Sequence, residues 1–444
     1  MRNAKIAIVG GGCAGLTAAI TLAKQGWEIS LFEASSALGG RARSVRLKNT
    51  TTHALDNGQH ILIGAYSETL QLLATLGVSE KQSFLRLSFS LLMLTQSLSR
   101  LKIETSAYLP TPLAMLIGLL LCQGLKFSER LAAIGMVLRL NFKAYRIALD
   151  LPLADFLRQQ GQSKNTIDLL WEPISLAALN TPIELASTQV FLNVLKDTMA
   201  SSFDLSLRKN SDFLLAKQDL SKLISEPASA YLKRHGVDIK IKQRITAISK
   251  SDDGYRLIGA EGQDMFSHVV LATAAHNAGQ LMVGFAELQA ELAVLAKFSY
   301  QPIYTVYLQY PTGTRLAHPM IGLANGLGQW VFDRGQLCQQ NGLLAVVISG
   351  AGRHQKWTHE QLSQAVELEL KHSFPNLGEP LWHKVIAEKR ATYACTPDLA
   401  RPPQKTALPN LYLAGDYTYA NYPATIEGAV RSGLACAALI GANA

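Results

Sequence analysis

The chain has 444 residues, of which 48% are hydrophobic and 17% are charged, and this composition excludes an intrinsically disordered protein. The formal net charge of +9 would suit nucleic acid, an anionic membrane surface or an anionic substrate. No basic block carries interleaved aromatic residues, which argues against nucleic acid as a partner. The five cysteines are scattered and none belongs to a C-x-x-C pair, so the sequence predicts a reducing compartment, no disulfide framework and no metal site.

The first predicted elements are a strand, a turn, a helix and a second strand. Residues 5–9 are a short apolar run that ends in glycines, which indicates a buried strand. Apolar side chains then recur at helical spacing from 12 to about 24, and residues 28–33 are predicted to be the second strand. A unit of this size is typical of a parallel dinucleotide-binding sheet.

The middle of the chain is predicted to be mainly helical. Helical periodicity extends from about 68 to 220 and includes the segments 153–160 and 184–199. One stretch within it, 105–125, contains no charged residue and has about the length of one membrane crossing, but prolines and glycines dilute it. Three interpretations remain open for this stretch: a membrane-spanning helix, which is the least favoured, a helix that contacts a membrane from one side, or the wall of an apolar pocket.

The remainder of the chain is predicted to contain short strands and a final helix. A mixed region is expected from about 285 to 385, and the last helix from about 425 to the end. The predicted strands lie at 237–241, 245–249, 255–258, 268–271 and 411–414. The two ends of the chain are therefore expected to meet in one sheet, with helical material inserted between them.

A glycine-rich turn lies between the first predicted strand and helix. Gly10, Gly12 and Gly15 form a G-x-G-x-x-G pattern, in which glycine allows the backbone to approach a pyrophosphate at the helix N-terminus. Such a turn alone is a weak signal. Here Glu33 ends the second predicted strand, where a carboxylate would bind the hydroxyl groups of a ribose.

Further motifs favour a flavin over a nicotinamide. Gly40 and Arg41 follow Glu33, so that backbone and guanidinium could contact phosphate, and the sequence DNGQH occupies 56–60. Near the C-terminus, Asp416 follows a predicted strand and suits the hydroxyl groups of a ribityl chain. The helix predicted to begin within PATIEG, at 423–428, would face the negative charge of a reduced flavin.

These motifs resemble those of the amine oxidase and phytoene desaturase superfamily of FAD enzymes. More narrowly, the chain is similar to the hydroxysqualene dehydroxylase family. The narrower resemblance is carried by DNGQHILIGAY at 56–66, LWEPISLAALNTP at 170–182, QVFLNVL at 189–195 and the C-terminal stretch 413–433. One departure is Tyr417, where the family pattern leads us to expect a tryptophan after Asp416.

The resemblance implies an α/β fold, with a Rossmann-like FAD-binding domain of the GR2 type interleaved with a mixed α+β substrate domain and largely helical inserts. The FAD-binding domain is expected to comprise 1–70, 220–285 and 386–444. The substrate domain, which would also contact a membrane, is expected to comprise 71–219 and 286–385. The cofactor is expected to be non-covalent FAD, because no cysteine or histidine lies in an attachment motif.

The resemblance also assigns cofactor-binding residues to this sequence. They are Gly10, Gly12, Ala14 and Gly15 at the pyrophosphate, Glu33 at the adenosine ribose, Gly40 and Arg41 in the phosphate shell, Gly58, Gln59 and His60 beside the isoalloxazine, Ile245 at the adenine through its backbone, and Gly415, Asp416 and Ile426 at the ribityl and flavin side.

The implied substrate is a C30 isoprenoid alcohol, and the implied reaction replaces its allylic hydroxyl group by a hydride from reduced flavin, giving squalene. His60 is the first candidate for the proton donor, because an imidazole titrates near neutral pH. A purely structural role for His60 is an equally open interpretation. Glu172 and Tyr66 are weaker candidates, and the proton could also come from water or from the reduced flavin.

Other functions remain as alternatives. A carotenoid-type desaturase or isomerase would use the same cofactor and a similar substrate, whereas no sequence feature indicates the amine of an amine oxidase. A prenyl-binding escort protein without redox chemistry would not need the flavin motifs. For the dehydroxylase, we expect a cytoplasmic protein on the inner face of the membrane, with substrate handed over by upstream squalene-pathway enzymes.

Overall fold

The computed structural model describes residues 4–46, 54–95, 100–200, 209–259 and 262–442. Within these residues the chain forms one parallel sheet, one seven-stranded sheet and three smaller antiparallel sheets, with helices between and around them. The predicted α/β class is confirmed.

The parallel sheet unites the two ends of the chain. In spatial order its strands are Asp238–Ile241, Glu28–Glu33, Lys5–Val9, His268–Leu271 and Leu411–Leu413. All neighbours in it are parallel, and Val9 lies opposite both Phe32 and Leu271. The carboxyl ends of the strands therefore meet at one edge, which is where open α/β sheets bind their ligands.

Two helices from opposite ends of the chain cover one face of the parallel sheet. Cys13–Lys24 follows the first strand, and Ile426–Gly441 follows the last one. They approach closely at Gly433, where a Cβ would lie 2.5 Å from the Ala14 backbone oxygen. Both helices bury apolar side chains against the sheet, and each fully buried aliphatic side chain stabilises the fold by roughly 1.5–3 kcal/mol.

The seven-stranded sheet forms the second layer of the molecule. In spatial order its strands are Trp382–Tyr393, Tyr300–Gln309, Leu343–Ser349, Trp330–Asp333, Met320–Ala324, Ser90–Thr95 and Arg100–Glu104. Only the contact between Met320–Ala324 and Ser90–Thr95 is parallel. The predicted domain boundary between 385 and 386 falls inside the continuous strand Trp382–Tyr393. The division into two domains stays a prediction.

The smaller sheets are antiparallel. Their strands are Ile245–Ser251, Gly254–Gly259 and Gly262–Phe266 in the first, Ser44–Arg46 and Ala54–Asp56 in the second, and Ile61–Ile63, Phe213–Ala216 and Phe84–Leu87 in the third. The strands predicted within 237–271 are present, with small differences at their ends.

The prediction that 68–220 is mainly helical was wrong at four strands: Phe84–Leu87, Ser90–Thr95, Arg100–Glu104 and Phe213–Ala216. Leu91, Met93, Leu101 and Ile103 alternate with more exposed residues and are buried, because their strands extend the seven-stranded sheet. Ser90–Thr95 pairs with Met320–Ala324, more than 200 residues later, and the local sequence does not indicate this partner.

The helices, with the short π- and 3-10 segments joined to them, complete the fold. Besides the two covering helices they are Ser67–Thr75, Glu80–Ser83, Thr111–Leu121, Phe127–Phe142, Leu153–Gln159, Lys164–Thr166, Ile167–Trp171, Glu172–Leu179, Thr188–Met199, Ser221–Ser225, Glu226–Arg234, Ala275–Met282, Ala286–Leu288, Gln289–Leu295, Arg334–Cys338, Arg353–Lys356, His359–Ser373 and Asp416–Thr418. The helix predicted at 184–199 begins at Thr188, because Ser187 caps it by accepting a hydrogen bond from the Val190 N–H at 3.1 Å.

The uncharged stretch 105–125 contains the eleven-residue helix Thr111–Leu121, and Phe127–Phe142 follows it. Among the described residues, we find no helix that combines the length and the apolar character needed to cross a membrane.

Candidate functional site

The first glycine-rich turn lies at the carboxyl edge of the parallel sheet. Gly10 has a φ of +115°, and a Cβ there would lie 2.5 Å from the Ala272 backbone oxygen. A Cβ at Gly15 would lie 2.0 Å from the Gly10 oxygen, whereas a Cβ at Gly12 would meet nothing within 4 Å. Ala14 is buried in the first turn of the helix. The turn therefore presents bare backbone and open space in front of a helix N-terminus, which fits a pyrophosphate.

Glu33 lies beside this turn at the end of the second strand. One carboxylate oxygen accepts a hydrogen bond from the Gly11 N–H at 2.8 Å, and the other accepts one from the Ser35 N–H at 2.7 Å. A carboxylate offers about four acceptor sites, so two backbone bonds leave room for ribose hydroxyls. Two backbone N–H groups thus hold the Glu33 carboxylate in place, which is consistent with its predicted role at the adenosine ribose.

A second glycine turn packs against the first one. Gly39 and Gly40 have φ angles of +106° and +58°, and the Gly39 N–H donates to the Gly11 oxygen at 2.8 Å. A Cβ at Gly40 would lie 3.2 Å from the Gly12 Cα. These contacts place Arg41, the next residue, at the same edge of the sheet.

Arg41 forms an ion pair with Asp416, 375 residues away in the sequence, at 2.8 Å from Nη2 to Oδ2. Its Nη1 also donates to the Ala391 backbone oxygen at 2.6 Å. The charge of Asp416 raises the pKa of Arg41. The second oxygen of buried Asp416 makes no hydrogen bond to the described residues. We predicted separate contacts of these two residues with the cofactor, and in the structure they also bind each other.

The backbone before Ile245 is attached to the loop after the second strand. The Gln243 N–H donates to the backbone oxygen of Glu33, and the Lys242 N–H donates to the backbone oxygen of Ser35, both at 2.9 Å. Ile245 itself is buried at the start of its strand. Its predicted position next to the adenosine-binding residues is therefore consistent with the geometry.

The segment Gly58–Gln59–His60 connects two short strands. His60 Nδ1 lies 2.7 Å from the Gly58 backbone oxygen, and because a carbonyl can only accept, Nδ1 carries the proton. Burial lowers the pKa of His60, so the imidazole is neutral at neutral pH and its Nε2 has a lone pair. The neutral ring is thus a hydrogen-bond acceptor at Nε2, and this geometry favours the structural interpretation of His60 over the proton donor.

His60 and Ile426 line the same small apolar cavity, although 366 residues separate them. Ile426 begins the C-terminal helix, and Thr425 caps this helix by accepting a hydrogen bond from the Gly428 N–H at 3.0 Å. The structure thus brings together two residues predicted on the flavin side.

Gly415 is covered by the ring of Tyr417. A Cβ at Gly415 would lie 2.3 Å from a ring carbon of Tyr417, and the Gly415 N–H donates to the Ser432 hydroxyl at 2.9 Å. Tyr417 is buried, and its hydroxyl group has no hydrogen-bond partner among the described residues. A tyrosine therefore fills the place where we expected tryptophan.

The weaker proton-donor candidates lie in different surroundings. Tyr66 is buried, and this burial together with the nearby Glu427 raises its pKa, so the phenol remains protonated. Burial also raises the pKa of Glu172, and the charges that act on it come from 164–184, not from the predicted cofactor residues.

Sequence reasoning missed Arg334, the largest fully buried side chain among the described residues. It follows the strand Trp330–Asp333 of the seven-stranded sheet and donates to Gln59. In the sequence Arg334 directly follows Asp333, and two adjacent charged residues are typical of a solvent-exposed turn. No local pattern therefore indicates that Arg334 is buried.

Comparison with known proteins relates this architecture to a family. Residues 13–441 match the family of flavin-containing amine oxidoreductases. The hydroxysqualene dehydroxylase of Rhodopseudomonas palustris is 28% identical over 98% of this chain and 97% of that protein, and that of Zymomonas mobilis is 27% identical over 97% and 98%. The 15-cis-phytoene desaturase of Solanum lycopersicum is 24% identical over 98% of this chain and 77% of that protein.

Among solved structures, a putative protoporphyrinogen oxidase from Exiguobacterium superposes with a TM-score of 0.74, at 19% identity and full coverage of both chains. This likeness confirms the predicted fold. The match to the family model covers nearly the whole chain and includes all the predicted cofactor residues except Gly10 and Gly12. The chain therefore belongs to the flavin-containing amine oxidoreductases, and it is an oxidoreductase with FAD as its cofactor.

Proposed function

We propose that this protein reduces hydroxysqualene to squalene. The observation that carries the proposal is the similarity to hydroxysqualene dehydroxylases of three bacteria over at least 96% of this chain. The glycine turns, Glu33, Arg41 and Asp416 support it, because they lie together at one edge of the sheet with the chemistry that the predicted FAD site requires. An escort protein without redox chemistry would not need such a site, so these residues favour an enzyme.

The reaction consumes two electrons. Reduced FAD, when bound, supplies a hydride to the allylic carbon; the carbon–oxygen bond breaks, and the hydroxyl group leaves as water after taking up one proton. Neutral His60 has no proton to give at Nε2, so we assign the proton to water or to the reduced cofactor. Tyr66 keeps its phenolic proton, because burial raises its pKa.

Two of the stretches that carry the narrower resemblance lie in apolar surroundings. Trp171 and Phe191, from these two stretches, are buried in one core with Met115 and Leu119. An apolar interior excludes water from a reactive site and strengthens the electrostatic interactions there.

The test is an anaerobic incubation of chemically reduced enzyme with hydroxysqualene, followed by analysis of the extracted lipid. We expect squalene, with one reduced FAD oxidised for each molecule formed. Squalene that is absent with reduced enzyme, together with a new conjugated double bond when oxidised enzyme is used, would instead favour a desaturase, as in the tomato relative.

We also propose that the protein contacts the cytoplasmic face of a membrane through one apolar helix surface. This surface consists of the exposed apolar residues of two successive helices, Leu113, Leu120, Leu121, Phe127, Leu131, Leu138 and Phe142. Leu121 is 71% exposed, Phe127 64% and Phe142 89%. Exposed apolar residues grouped in this way are typical of an interaction site, and the substrate is itself a lipid.

Charge supports an anionic lipid surface as the partner. Lys126, Lys143 and Arg146 are exposed at the ends of the two helices, and the whole chain carries +9. Basic residues next to an apolar surface add roughly 1 kcal/mol each to binding of anionic membranes. The contact surface predicted at 105–125 is thereby extended to residue 142.

Flotation with vesicles of phosphatidylserine and phosphatidylcholine tests the contact. The variant Leu121→Ser/Phe142→Ser should lose most vesicle binding, whereas Leu381→Ser, at an equally exposed leucine elsewhere, should bind like the wild type. A wild-type protein that ignores vesicles would refute the contact and favour handover of substrate by an upstream enzyme.

A further inference from the structure

Arg334 links the seven-stranded sheet to the segment predicted to lie beside the flavin. It begins the helix Arg334–Cys338 and is fully buried. Its Nη1 donates to Gln59 Oε1 at 2.6 Å and to Asp56 Oδ2 at 3.2 Å. The ring of Tyr307 lies 5.8 Å from the guanidinium, and the Tyr307 hydroxyl donates to the Asp56 backbone oxygen at 2.9 Å. Both ends of the segment 56–59 are thus attached to another layer of the fold.

The chemistry of arginine determines how the Gln59 amide is oriented. A guanidinium has five N–H donors and no acceptor, so only the oxygen of a glutamine amide can face it. Gln59 therefore turns its oxygen towards Arg334, and its NH2 group is left on the other side. This NH2 group makes no hydrogen bond within the part of the chain that the structure describes, and Gln59 is only partly buried.

The burial of this charge is costly for stability. Arg334 Nη2 has no hydrogen-bond partner among the described residues, although Asp56, Gln59 and Gln340 occupy the other donors. A buried ion pair with an unsatisfied donor is often no more stabilising than apolar residues of the same size. Stability alone therefore does not account for this buried pair, and its contact with Gln59 suggests another role.

We propose that Arg334 is a positioning residue: it holds the Gln59 amide so that the NH2 group is presented to the bound flavin as a hydrogen-bond donor. The complementary atoms on the ligand are the carbonyl oxygens and acceptor nitrogens of the isoalloxazine edge. The inference rests on the predicted place of 58–60 beside the flavin, and it is independent of which substrate is reduced.

The test compares three proteins by titration of apoprotein with FAD and by visible circular dichroism of the bound flavin. Gln59→Leu removes the donor. Asp56→Asn/Arg334→Met removes both charges together, which avoids an unpaired buried charge. Each should weaken FAD binding by about three- to tenfold, the effect of one hydrogen bond, and change the flavin spectrum in the same way. The triple variant combines all these substitutions, and its loss of FAD affinity should be smaller than the sum of the two separate losses.

The control pair is Asp212→Asn/Arg86→Met, which removes another ion pair, of 2.9 Å, whose hydrogen-bond partners are not predicted cofactor residues. It should lower the denaturation midpoint and leave FAD affinity and the flavin spectrum unchanged. Additive losses in the triple variant, or an unchanged spectrum with Asp56→Asn/Arg334→Met, would overturn the inference. Unchanged FAD binding by Gln59→Leu would overturn it as well, by showing that this segment does not face the flavin.

Discussion

The pyrophosphate turn at 10–15 and the flavin segment at 56–60 belong to one predicted cofactor site, but they are held in different ways. The turn is fixed by nearby chain: the Gly10 N–H donates to the Phe32 oxygen and the Gly11 N–H to Glu33, both at 2.8 Å. The flavin segment is fixed by distant chain, through Arg334 and Tyr307. A local motif thus builds the first part, and tertiary packing builds the second.

The largest expected effect separates two glycines of the turn. Gly15→Ala places a Cβ 2.0 Å from the Gly10 oxygen, so the turn must open, and the free energy of unfolding should fall by about 1–3 kcal/mol while FAD binding is lost. Gly12→Ala points a methyl group into open space, so the apoprotein should keep its stability within about 0.5 kcal/mol and still lose FAD affinity. Urea denaturation of both apoproteins and FAD titration measure this difference. Equal stability of Gly15→Ala and wild type would contradict it.

The next effect concerns the carboxylates of the site. Glu33→Ala and Asp416→Ala should each remove a predicted charge-assisted hydrogen bond to the cofactor, worth roughly 1.5–3 kcal/mol, so FAD affinity should fall about tenfold to more than a hundredfold. Glu28→Ala is the matched control, because Glu28 is an exposed carboxylate at the other end of the same strand as Glu33. Affinities like that of the control at both positions would mean that the site is misplaced.

A smaller effect is expected at His60 on turnover. Since the neutral ring donates through Nδ1 to Gly58, His60→Gln should bind FAD and reoxidise it with hydroxysqualene at a rate within about tenfold of the wild type. Rapid mixing of reduced enzyme with substrate measures that rate. A loss of about 10²–10⁴-fold with FAD still bound, the usual effect of removing a positioned acid, would restore His60 as the proton donor.

The smallest effect is the pH dependence of stability. Burial lowers the pKa of folded His60 below its unfolded value of about 6.5, so the unfolded chain takes up this proton first as the pH falls. The stability contributed by the neutral ring is therefore present above pH 6.5 and lost below it. Between pH 7.5 and 5.5, His60→Gln apoprotein should lose less unfolding free energy than wild type, by under about 1 kcal/mol. Exposed His318→Gln is the control, and curves of equal slope for His60→Gln and wild type would contradict the burial of His60.

The difference between local and long-range contacts also explains which parts of the site could be predicted from the sequence. The glycines, Glu33 and the strands of the parallel sheet follow from local patterns, and the structure places them where those patterns indicate. The pairing of Arg41 with Asp416 and the burial of Arg334 depend on residues hundreds of positions away. Electrostatic partners of this kind leave no periodicity in the chain.

The strands within 84–104 show the same limit for secondary structure. The apolar run at 91–94 could have belonged to buried helix or strand, because short apolar runs do not separate the two, whereas the alternation in RLKIE at 100–104 is a strand signal that our helical prediction missed. Ser90–Thr95 forms a strand that pairs with Met320–Ala324, and this distant pairing is not visible in the local sequence. Local pattern therefore predicted the cofactor turn well and the second layer poorly.

The most direct test of the proposed reaction is the fate of the hydride in D2O. The transferred hydrogen of reduced flavin exchanges with solvent, so anaerobic turnover of hydroxysqualene in D2O should give squalene with one deuterium at the former carbinol carbon. Turnover in H2O should give none. Squalene without deuterium, or no squalene from reduced enzyme, would contradict hydride transfer from the cofactor held at this site.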